Sequence, residues 1–318
     1  MATNERREPR ETQEARSRVT VVGSLNMDLV VRAPRLPQGG ETLAGSTFAQ
    51  VAGGKGGNQA VAAARLGAQV SMLGCLGADA NGAQLRAGLE AEGIDCTAVE
   101  TGTQATGVAL IVVDDASQNA IVIVAGSNGE VTPETIVRHE AELAAANVVI
   151  CQLETPPDTV RAALAAARRL GKTVILNPAP ATGPLPADWL PLIDYLIPNE
   201  LEAAALTGLP VNSPEDAAKA AAALRASGAR NVLVTLGPRG VHATLDGAAP
   251  ALYEVPQVKA VDTTAAGDTF IGGFAAQLAQ GESVDAAIRF AQRAAALSVT
   301  RAGAQPSIPT RAELDASA

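Results

Sequence analysis

The class of fold follows from residues 148–176, VVICQLETPPDTVRAALAAARRLGKTVIL. This segment starts with a short apolar run at 148–151, continues into an alanine-rich stretch of helical length at 157–170, and ends in a second apolar run at 173–176. Two such runs on either side of a helix predict a right-handed βαβ unit with parallel strands.

The same alternation continues on both sides of this segment. Further buried strands are predicted at residues 19–24, 70–74, 195–197 and 231–236. Helices are predicted at residues 56–66, 81–92, 133–146, 214–226, 265–280 and 284–300. Strands that alternate with helices of this length predict an α/β fold, in which a mostly parallel sheet lies between two layers of helices.

Two stretches, residues 28–50 and 106–125, interrupt the alternation because they lack helical periodicity. In the second stretch, apolar runs at 108–113 and 120–124 flank a turn-like segment and predict a β-hairpin. We expect this hairpin to join the run at 41–49 in a small second sheet that forms a lid. Because both faces of the hairpin are apolar, one should cover a ligand cleft and the other a second copy of the chain, with Ile121 and Ile123 supporting the homodimer.

Composition and charge exclude several classes of protein. The 318 residues are 47% hydrophobic and 18% charged, as in ordinary globular proteins. A net charge of −9 argues against a nucleic-acid partner or a membrane surface, which both need clustered positive charge. Residues 1–17 are dense in arginine and glutamate and predict a solvated tail without fixed structure, which leaves residues 18–318 as the folded domain.

The chain offers little for histidine or thiol chemistry. Its two histidines, His139 and His242, lie far apart in the sequence, so histidine-based zinc sites and Ser-His-Asp catalysis are not expected. The three cysteines, Cys75, Cys96 and Cys151, are odd in number and lie in apolar surroundings. This pattern is typical of buried thiols in a reducing compartment, and we expect a cytoplasmic protein.

Residues 51–60, VAGGKGGNQA, carry four glycines around Lys55 at the start of a predicted helix. Such a run lets a ligand approach bare backbone at the positive end of a helix dipole. It is not a P-loop, because Gly56 stands where Ser or Thr would follow the lysine, and Gln59 replaces the third glycine of a dinucleotide fingerprint. The alternative interpretation is a flexible turn.

Residues 261–270, VDTTAAGDTF, form a second candidate site. The small residues up to Gly267 would turn the chain so that successive N–H groups converge into an anion-binding nest as a helix begins. Asp268 would then stand where a phosphate docks, which is a suitable position for a general base. The alternative is that Asp268 only caps the helix.

Polar side chains surround these segments in the sequence. Residues 232–240 run from a strand into a glycine-containing turn, where open α/β sheets bind ligands, although a simple hairpin turn is the alternative. Further polar groups follow strands or open helices, namely Asn26, Asp28, Asn58, Glu154, Asn199 and Glu202. Carboxylates and amides that converge on one cleft suit a polyhydroxylated ligand, because each hydroxyl can both donate and accept a hydrogen bond.

Residues 53–58, GGKGGN, and 262–268, DTTAAGD, are similar to the two signature motifs of the PfkB carbohydrate kinases, also called ribokinase-like sugar kinases. Both motifs together, in the correct order, are highly specific for this family. Further family-like words occur at 23–28, 152–154, 177–180, 198–200 and 303–307, so the resemblance covers residues 18–314. It implies a three-layer αβα sandwich with a small β lid, and an ATP-dependent kinase that phosphorylates the 5-hydroxyl of D-ribose.

The resemblance also implies roles for individual residues. Asp268 would take the proton of the acceptor hydroxyl, and the backbone N–H groups of Ala265, Ala266 and Gly267 would hold the transferring phosphoryl group. The residues that would bind the sugar are Asn26, Asp28, Gly54, Lys55, Asn58 and Glu154. The residues that would contact ATP are Thr235, Gly237, Gly267 and Arg239, with Asn199 and Glu202 near the phosphates and Mg²⁺.

Two further sites are implied by the resemblance. Gln292 stands near the expected adenine, where related kinases often have His or Asn. A potassium ion would be surrounded by the side chain of Asp262, by Ser307, and by the carbonyls of Thr264, Ser298, Arg301 and Gly303.

Other members of the family remain alternatives, namely fructokinases, deoxyribokinases and nucleoside kinases. A nucleoside kinase needs aromatic or apolar surfaces for a base, and the chain has only seven aromatic residues, none beside the proposed sugar groups. A phosphorylated acceptor would need nearby cations, and only Arg32 and Arg35 are close in sequence. A noncatalytic sugar sensor is a more distant alternative, which the presence of Asp268 disfavours.

Overall fold

The computed structural model describes residues 17–116 and 118–317, so the predicted tail lies outside the described residues except for Ser17. The strands are β1 Arg18–Val22, β2 Asn26–Arg32, β3 Thr47–Gly53, β4 Gln69–Gly77, β5 Val99–Gly102, β6 Gly107–Val113, β7 Asn119–Val124, β8 Val148–Cys151, β9 Thr173–Leu176, β10 Tyr195–Leu196, β11 Asn231–Thr235, β12 Val241–Thr244 and β13 Ala251–Tyr253. The helices are α1 Lys55–Arg65, α2 Ala80–Ala91, α3 Pro133–Arg138, α4 Glu140–Ala145, α5 Pro157–Arg169, α6 Glu200–Thr207, α7 Pro214–Ala226, α8 Ala266–Ala279, α9 Val284–Ser298 and α10 Arg311–Ala316.

The main sheet confirms the predicted α/β class. Its strand order is β13-β12-β11-β10-β9-β8-β1-β4-β5, and the pairs from β11 to β5 are parallel, whereas β12 and β13 add an antiparallel edge. One apolar core lies between the sheet and α1, α2, α8 and α9, and a second lies between the sheet and α3 to α7. Burial on both faces explains why the central strands are continuous apolar runs in the sequence.

One predicted helix is interrupted in the structure. Residues 133–146 form α3 and α4 rather than a single helix, and the break occurs at His139. The Nε2 atom of His139 lies 2.9 Å from Oε1 of Glu100, a residue of β5, so the break brings this ring to the sheet edge. All three cysteines are free and buried, as expected. In the described part of the chain, no helix is long and apolar enough to cross a bilayer.

A second sheet has the strand order β3-β2-β6-β7 and includes the predicted hairpin, β6 and β7. The prediction for residues 41–49 was wrong in its bounds, because β3 covers Thr47–Gly53. Glu41 instead accepts hydrogen bonds from the Arg35 side chain and from the backbone N–H of Gln38, which closes a turn before the strand. We call β2, β3, β6 and β7 the small sheet.

The register of the small sheet separates its two faces. Asp28, Val30, Ile111 and Ile121 line a cavity between the small sheet and residues 260–264, so they form the inner face. Ile123 lines a neighbouring cavity with Asn26 and Glu154. Ile121 and Ile123 therefore share the inner face, because side chains alternate along a strand, so a homodimer contact through the outer face, which stays a prediction, would not involve them.

The outer face of the small sheet carries its own apolar side chains. Leu110 and Val122 are paired across β6 and β7 and are 47% and 60% exposed, and Phe48 of β3 is 62% exposed. The hairpin is thus apolar on both faces, as the sequence predicted.

Helices α1 and α8 pack closely through small residues. A Cβ atom added at Gly272 of α8 would lie 2.5 Å from Cβ of Ala62 and 2.7 Å from the backbone nitrogen of Ala63, both in α1. Real Cβ atoms do not approach this closely, so only glycine permits this distance between the helices.

Because of this contact, we expect Gly272→Ala to lower the free energy of unfolding by about 1–3 kcal/mol, the usual cost of overpacking. The matched control is Gly88→Ala within α2, where a Cβ would meet nothing within 4 Å. Alanine there should stabilise the helix by about 0.5–1 kcal/mol. Chemical denaturation measures both changes, and a stabilised Gly272→Ala variant would show that the helices are not in tight contact.

Candidate active site

The first part of the site is the junction between β3 and α1. Gly54 joins them with a φ of 82°, a left-handed conformation, and Lys55 begins the helix. Oε2 of Glu154 accepts hydrogen bonds from the hydroxyl of Ser24 at 2.5 Å and from the backbone N–H of Lys55 at 3.0 Å. Glu154 therefore ties the loops that follow β1, β3 and β8 to one another.

Asn26 and Asp28 lie within β2, beside this junction. Oδ1 of Asn26 accepts a hydrogen bond from Nδ2 of the buried Asn128 at 2.8 Å. A Cβ at Gly53 would lie 2.2 Å from Oδ2 of Asp28, so the missing side chain at Gly53 makes room for the Asp28 carboxyl group. The structure thus brings Asn26, Asp28, Gly54 and Glu154 together, as predicted.

Asp268 lies at the third position of α8 and is 8% exposed. Its Oδ2 accepts a hydrogen bond from Nδ2 of Asn58 and its Oδ1 accepts one from Nε2 of Gln59, both at 2.9 Å. The alternative that Asp268 caps the helix is wrong, because Ala265 precedes the first helical residue and occupies the cap position. The carboxylate is instead held by the start of α1.

The turn before α8 has the geometry expected for an anion site. Ala265 has a φ of 59°, the left-handed region that non-glycine residues seldom adopt, and its carbonyl accepts hydrogen bonds from the backbone and hydroxyl of Thr269 at 2.8 Å each. The N–H of Ala266 makes only a long bond of 3.3 Å to the carbonyl of Thr263. A Cβ at Gly267 would meet nothing within 4 Å, so this backbone borders open space.

That space is a cavity of about 170 Å³. It is lined by Ala265, Ala266, Gly267 and Asp268, and by Lys55, Asn199, Glu202 and Thr235 from the other side. Lys55 was predicted to bind the sugar, and in the structure it lines this cavity. The structure thus brings Asp268, Lys55 and the turn at residues 265–267, which we call the anion turn, to the same cavity.

Charge in the site is concentrated and partly buried. Burial alone would lower the pKa of Lys55, but the carboxylates of Asp268, Glu154, Glu202 and Asp28 outweigh it, and the pKa of Lys55 is raised above 10.5. Burial, followed by repulsion from Glu154 and Asp268, raises the pKa of Asp28 from 3.8 to about 7. Burial also raises the pKa of Glu202.

Asn199 and Glu202 form a reciprocal helix cap at the start of α6. The backbone N–H of Glu202 donates to Oδ1 of Asn199 at 2.8 Å, and the backbone N–H of Asn199 donates to Oε2 of Glu202 at 2.9 Å. Both residues also line the cavity beside the anion turn. The cap therefore fixes the two side chains at the cavity wall.

Another cavity adjoins the anion turn at Ala266 and Gly267. It is lined by Thr235, Gly237, Gly267 and Gln292, together with Val241, Val255 and Phe270. Nε2 of Gln292 donates to the carbonyl of Tyr253 at 2.7 Å, so its amide is already engaged.

The structure does not bring Arg239 into this cavity. Its guanidinium donates to Oε1 of Glu200 at 2.7 Å and to the carbonyl of Asn212. One acceptor lies at the start of α6 and the other beyond its end. The Arg239 side chain is therefore held outside the set of residues that line the cavity.

Asp262 connects the loop before α8 with the loop after α9. Its Oδ1 accepts from the backbone and hydroxyl of Thr264 at 2.9 and 2.7 Å, and its Oδ2 accepts from the N–H of Gly303 at 2.9 Å. Burial raises the pKa of Asp262, but these hydrogen bonds outweigh burial, so the pKa lies below 3.8. The carboxylate thus stays ionised between the two loops.

The other residues of the predicted cation site lie along the second loop. The hydroxyls of Ser298 and Ser307 donate to the carbonyls of Ala295 and Ala304, and Arg301 forms an ion pair with Glu313 at 2.9 Å. Within residues 17–116 and 118–317, no group of three or more His, Cys, Asp or Glu side chains could hold a metal. Any cation here would depend on Asp262 and on carbonyl oxygens.

Sequence analysis missed three buried amides behind Asp268. Gln59, Gln152 and Asn177 are 0%, 1% and 6% exposed. Gln59 is hydrogen-bonded to each of the other two. Gln152 and Asn177 each directly follow a strand, β8 and β9. The same signal that singled out Glu154, a polar residue just beyond an apolar strand, would have found them.

Comparison with known proteins places this site in a family. Residues 16–311 match the model described as "pfkB family carbohydrate kinase". The chain is 45% identical over 299 residues to ribokinase from Haemophilus influenzae, covering 94% of this chain and 97% of the relative. It is 39% identical over 296 residues to deoxyribokinase from Salmonella typhi, covering 92% and 95%.

A solved structure agrees with these matches. Arabidopsis thaliana ribokinase complexed with ribose and ATP superposes with a TM-score of 0.88 at 35% identity, covering 94% of this chain and 98% of that one. The predicted three-layer fold with a small sheet is confirmed. The chain belongs to the PfkB family of carbohydrate kinases.

Proposed function

We propose that the chain transfers the γ-phosphoryl group of ATP to the 5-hydroxyl of D-ribose, giving ribose 5-phosphate and ADP. The observation that carries this proposal is the buried Asp268, which accepts a hydrogen bond from the predicted sugar-binding residue Asn58 and lines the cavity beside the anion turn. Relatives named as ribokinases, including one solved with ribose and ATP, support the substrate pair.

In the proposed complex, Asn26, Asp28, Asn58 and Glu154 bind the sugar hydroxyls, beside Gly54 and Lys55. Oδ1 of Asn58 is buried and has no hydrogen-bond partner among the described residues. A buried acceptor without a partner is costly, so a sugar hydroxyl that donates to it would remove an existing penalty.

The proposed chemistry follows from the position of Asp268 between Asn58 and the anion turn. Asp268 takes the proton of the 5-hydroxyl as the oxygen–phosphorus bond forms, and the bond to the ADP oxygen breaks. The N–H groups of Ala265, Ala266 and Gly267 stabilise the negative charge of the transferring group. The ammonium group of Lys55 contributes a positive charge beside both the sugar and the phosphate groups of ATP.

We propose that ATP lies along the cavities lined by Asn199, Glu202, Thr235, Gly237 and Gln292, with Arg239 outside direct contact. Glu202 supplies carboxylate oxygens of the type that Mg²⁺ prefers. When bound with ATP, Mg²⁺ would neutralise phosphate charge during transfer.

A monovalent cation is also part of the proposal, at the loops joined by Asp262. One ionised carboxylate with the carbonyls of Thr264, Ser298, Arg301 and Gly303, near Ser307, forms an oxygen-rich site whose charge suits K⁺. This ion would stabilise the turn that leads into Ala265 without touching either substrate.

Deoxyribose is the second candidate substrate, because the Salmonella typhi relative is named a deoxyribokinase. An ATP-consumption assay with ribose, deoxyribose, fructose and adenosine distinguishes these family members. We expect ribose to give the highest kcat/KM. A higher value for adenosine or fructose would overturn the substrate assignment.

Replacement of the base tests the mechanism. We expect Asp268→Asn to reduce kcat by about 10²–10⁴, because the amide keeps the shape but cannot take the proton. Ribose affinity, measured by calorimetry, should stay within about tenfold. Asp158→Asn, an exposed carboxylate in the first turn of α5, is the matched control. A kcat within about threefold of the parent would contradict the role of Asp268.

The KM for ribose should depend on pH, because Asp28, whose pKa is raised to about 7, changes charge near neutrality. An ionised carboxylate accepts stronger hydrogen bonds than the neutral acid. As pH falls from about 8 to 6 and Asp28 takes up a proton, the KM for ribose should rise by about three- to tenfold, and the KM for ATP should not change.

The control for this pH effect is Asp28→Asn, which cannot titrate. Its KM for ribose should be high and independent of pH in the same steady-state measurements. If the variant keeps the pH dependence of the parent, another group controls sugar binding.

We propose that the small sheet closes over the sugar with its inner face and joins a second copy of the chain through its outer face. Exposed Leu110 and Val122 support the second part, because a contiguous apolar face on a sheet needs cover.

Two neighbouring substitutions separate these roles. We expect Val122→Lys on the outer face to give monomers in light scattering. Ile121→Lys on the inner face should remain dimeric and raise the KM for ribose, because the lysine enters the cavity. A parent protein that is monomeric, or a Val122→Lys variant with unchanged mass, would contradict the dimer.

A further inference from the structure

Gln59 is a buried residue that the proposed mechanism does not use. Its side chain is 0% exposed and lies behind Asp268. Nε2 donates to Oδ1 of Asp268 at 2.9 Å and to Oδ1 of Asn177 at 3.2 Å, and Oε1 accepts from Nε2 of Gln152 at 2.7 Å. Both ends of this amide are therefore committed.

Two neighbours of Gln59, Asp268 and Asn177, require the same orientation of its amide. The Asp268 carboxylate can only accept, so the nitrogen must face it. Nδ2 of Asn177 donates to the carbonyl of Ile197 at 3.1 Å, which turns its oxygen toward Gln59. A reversed Gln59 amide would bring two acceptors together at Asp268 and at Asn177, and two donors together at Gln152.

Gln152 is itself held in place by the main sheet. It directly follows β8 and is 1% exposed. A Cβ at Gly23, just beyond β1, would lie 2.0 Å from Oε1 of Gln152, so the side chain occupies space that only glycine leaves open. The carboxyl ends of β1 and β8 thus fix Gln152, which fixes Gln59.

We propose that Gln59 is a positioning residue that sets the plane of the Asp268 carboxylate, and that Gln152 locks the oxygen end of Gln59 in place. The inference rests on the proposed role of Asp268 as base. Asn58 holds Oδ2 and Gln59 holds Oδ1, so the carboxylate is tethered at both oxygens. A general base must lie within hydrogen-bond reach of its proton, and a displacement of about 1 Å can cost about 10²-fold in rate.

The test is Gln59→Met, which keeps the length of the side chain and removes its hydrogen bonds. We expect kcat to fall by about 10- to 100-fold, with the KM values for ribose and ATP within about threefold of the parent. The matched control is Gln277→Met on α8, another buried glutamine, whose Nε2 donates to Gln280 at 3.3 Å. The control should keep kcat within about twofold, and both variants should retain the circular dichroism spectrum of the parent.

A second variant tests the lock. Gln152→Met should reduce kcat by about three- to tenfold, because Gln59 loses the hydrogen bond to its Oε1 and is then held only at its nitrogen. The double variant Gln59→Met/Gln152→Met should be no slower than Gln59→Met alone, because Gln152 acts only through Gln59. Fully multiplied losses would overturn the lock.

The remaining outcomes each decide the inference. A kcat within about twofold of the parent for Gln59→Met overturns it, and so does a large rise in KM at unchanged kcat. If Gln59→Met does not fold, Gln152→Met carries the test, and an unchanged kcat for that variant overturns the inference. Asp268→Asn in the same assay separates the two proposals: if that variant is active, the base assignment fails, and if only Gln59→Met is active, the positioning role fails.

Discussion

The close contact between α1 and α8 is the constraint on which the rest of the site depends. Gly272 lets the two helices approach, and this brings Asn58 at the start of one within 2.9 Å of Asp268 at the start of the other. The first helix continues from the small sheet through Gly54, and the second continues from the anion turn. One helix pair therefore fixes the distance between the junction at Gly54 and the anion turn, although the two motifs are far apart in the sequence.

The site concentrates negative charge that the cation of Lys55 does not fully compensate. Lys55 interacts with the carboxylates of Asp28, Glu154, Glu202 and Asp268, so negative groups outnumber this cation. Burial and repulsion raise the pKa of Asp28 to about 7, which means that its ionised form is disfavoured in the folded chain. A sugar that donates hydrogen bonds to these oxygens would relieve part of that cost, so these carboxyl groups are suited to bind a polyhydroxylated ligand.

The small sheet shows where sequence patterning stops being informative. Runs 108–113 and 120–124 are apolar on both faces, so periodicity predicted strands and a hairpin but not which side chains face the cleft. The register with β2 decides this, because Asp28 and Ile111 share a face with Ile121, whereas Val122 lies on the opposite one. The bounds of β3 and the break at His139 were missed for the same reason, since both depend on contacts distant in the sequence.

The sequence by itself determined the α/β class, the hairpin, and the two glycine-containing motifs with their candidate base, because local apolar runs, glycines and helix starts are properties of short segments. Only the tertiary structure decided which polar groups meet. It brought Asn58 and Asp268 together, turned Arg239 toward Glu200, and buried Gln59 behind Asp268. The physical reason is that side-chain hydrogen bonds form over about 3 Å, and only the packing of helices on a particular sheet order brings residues from opposite ends of the chain within that distance.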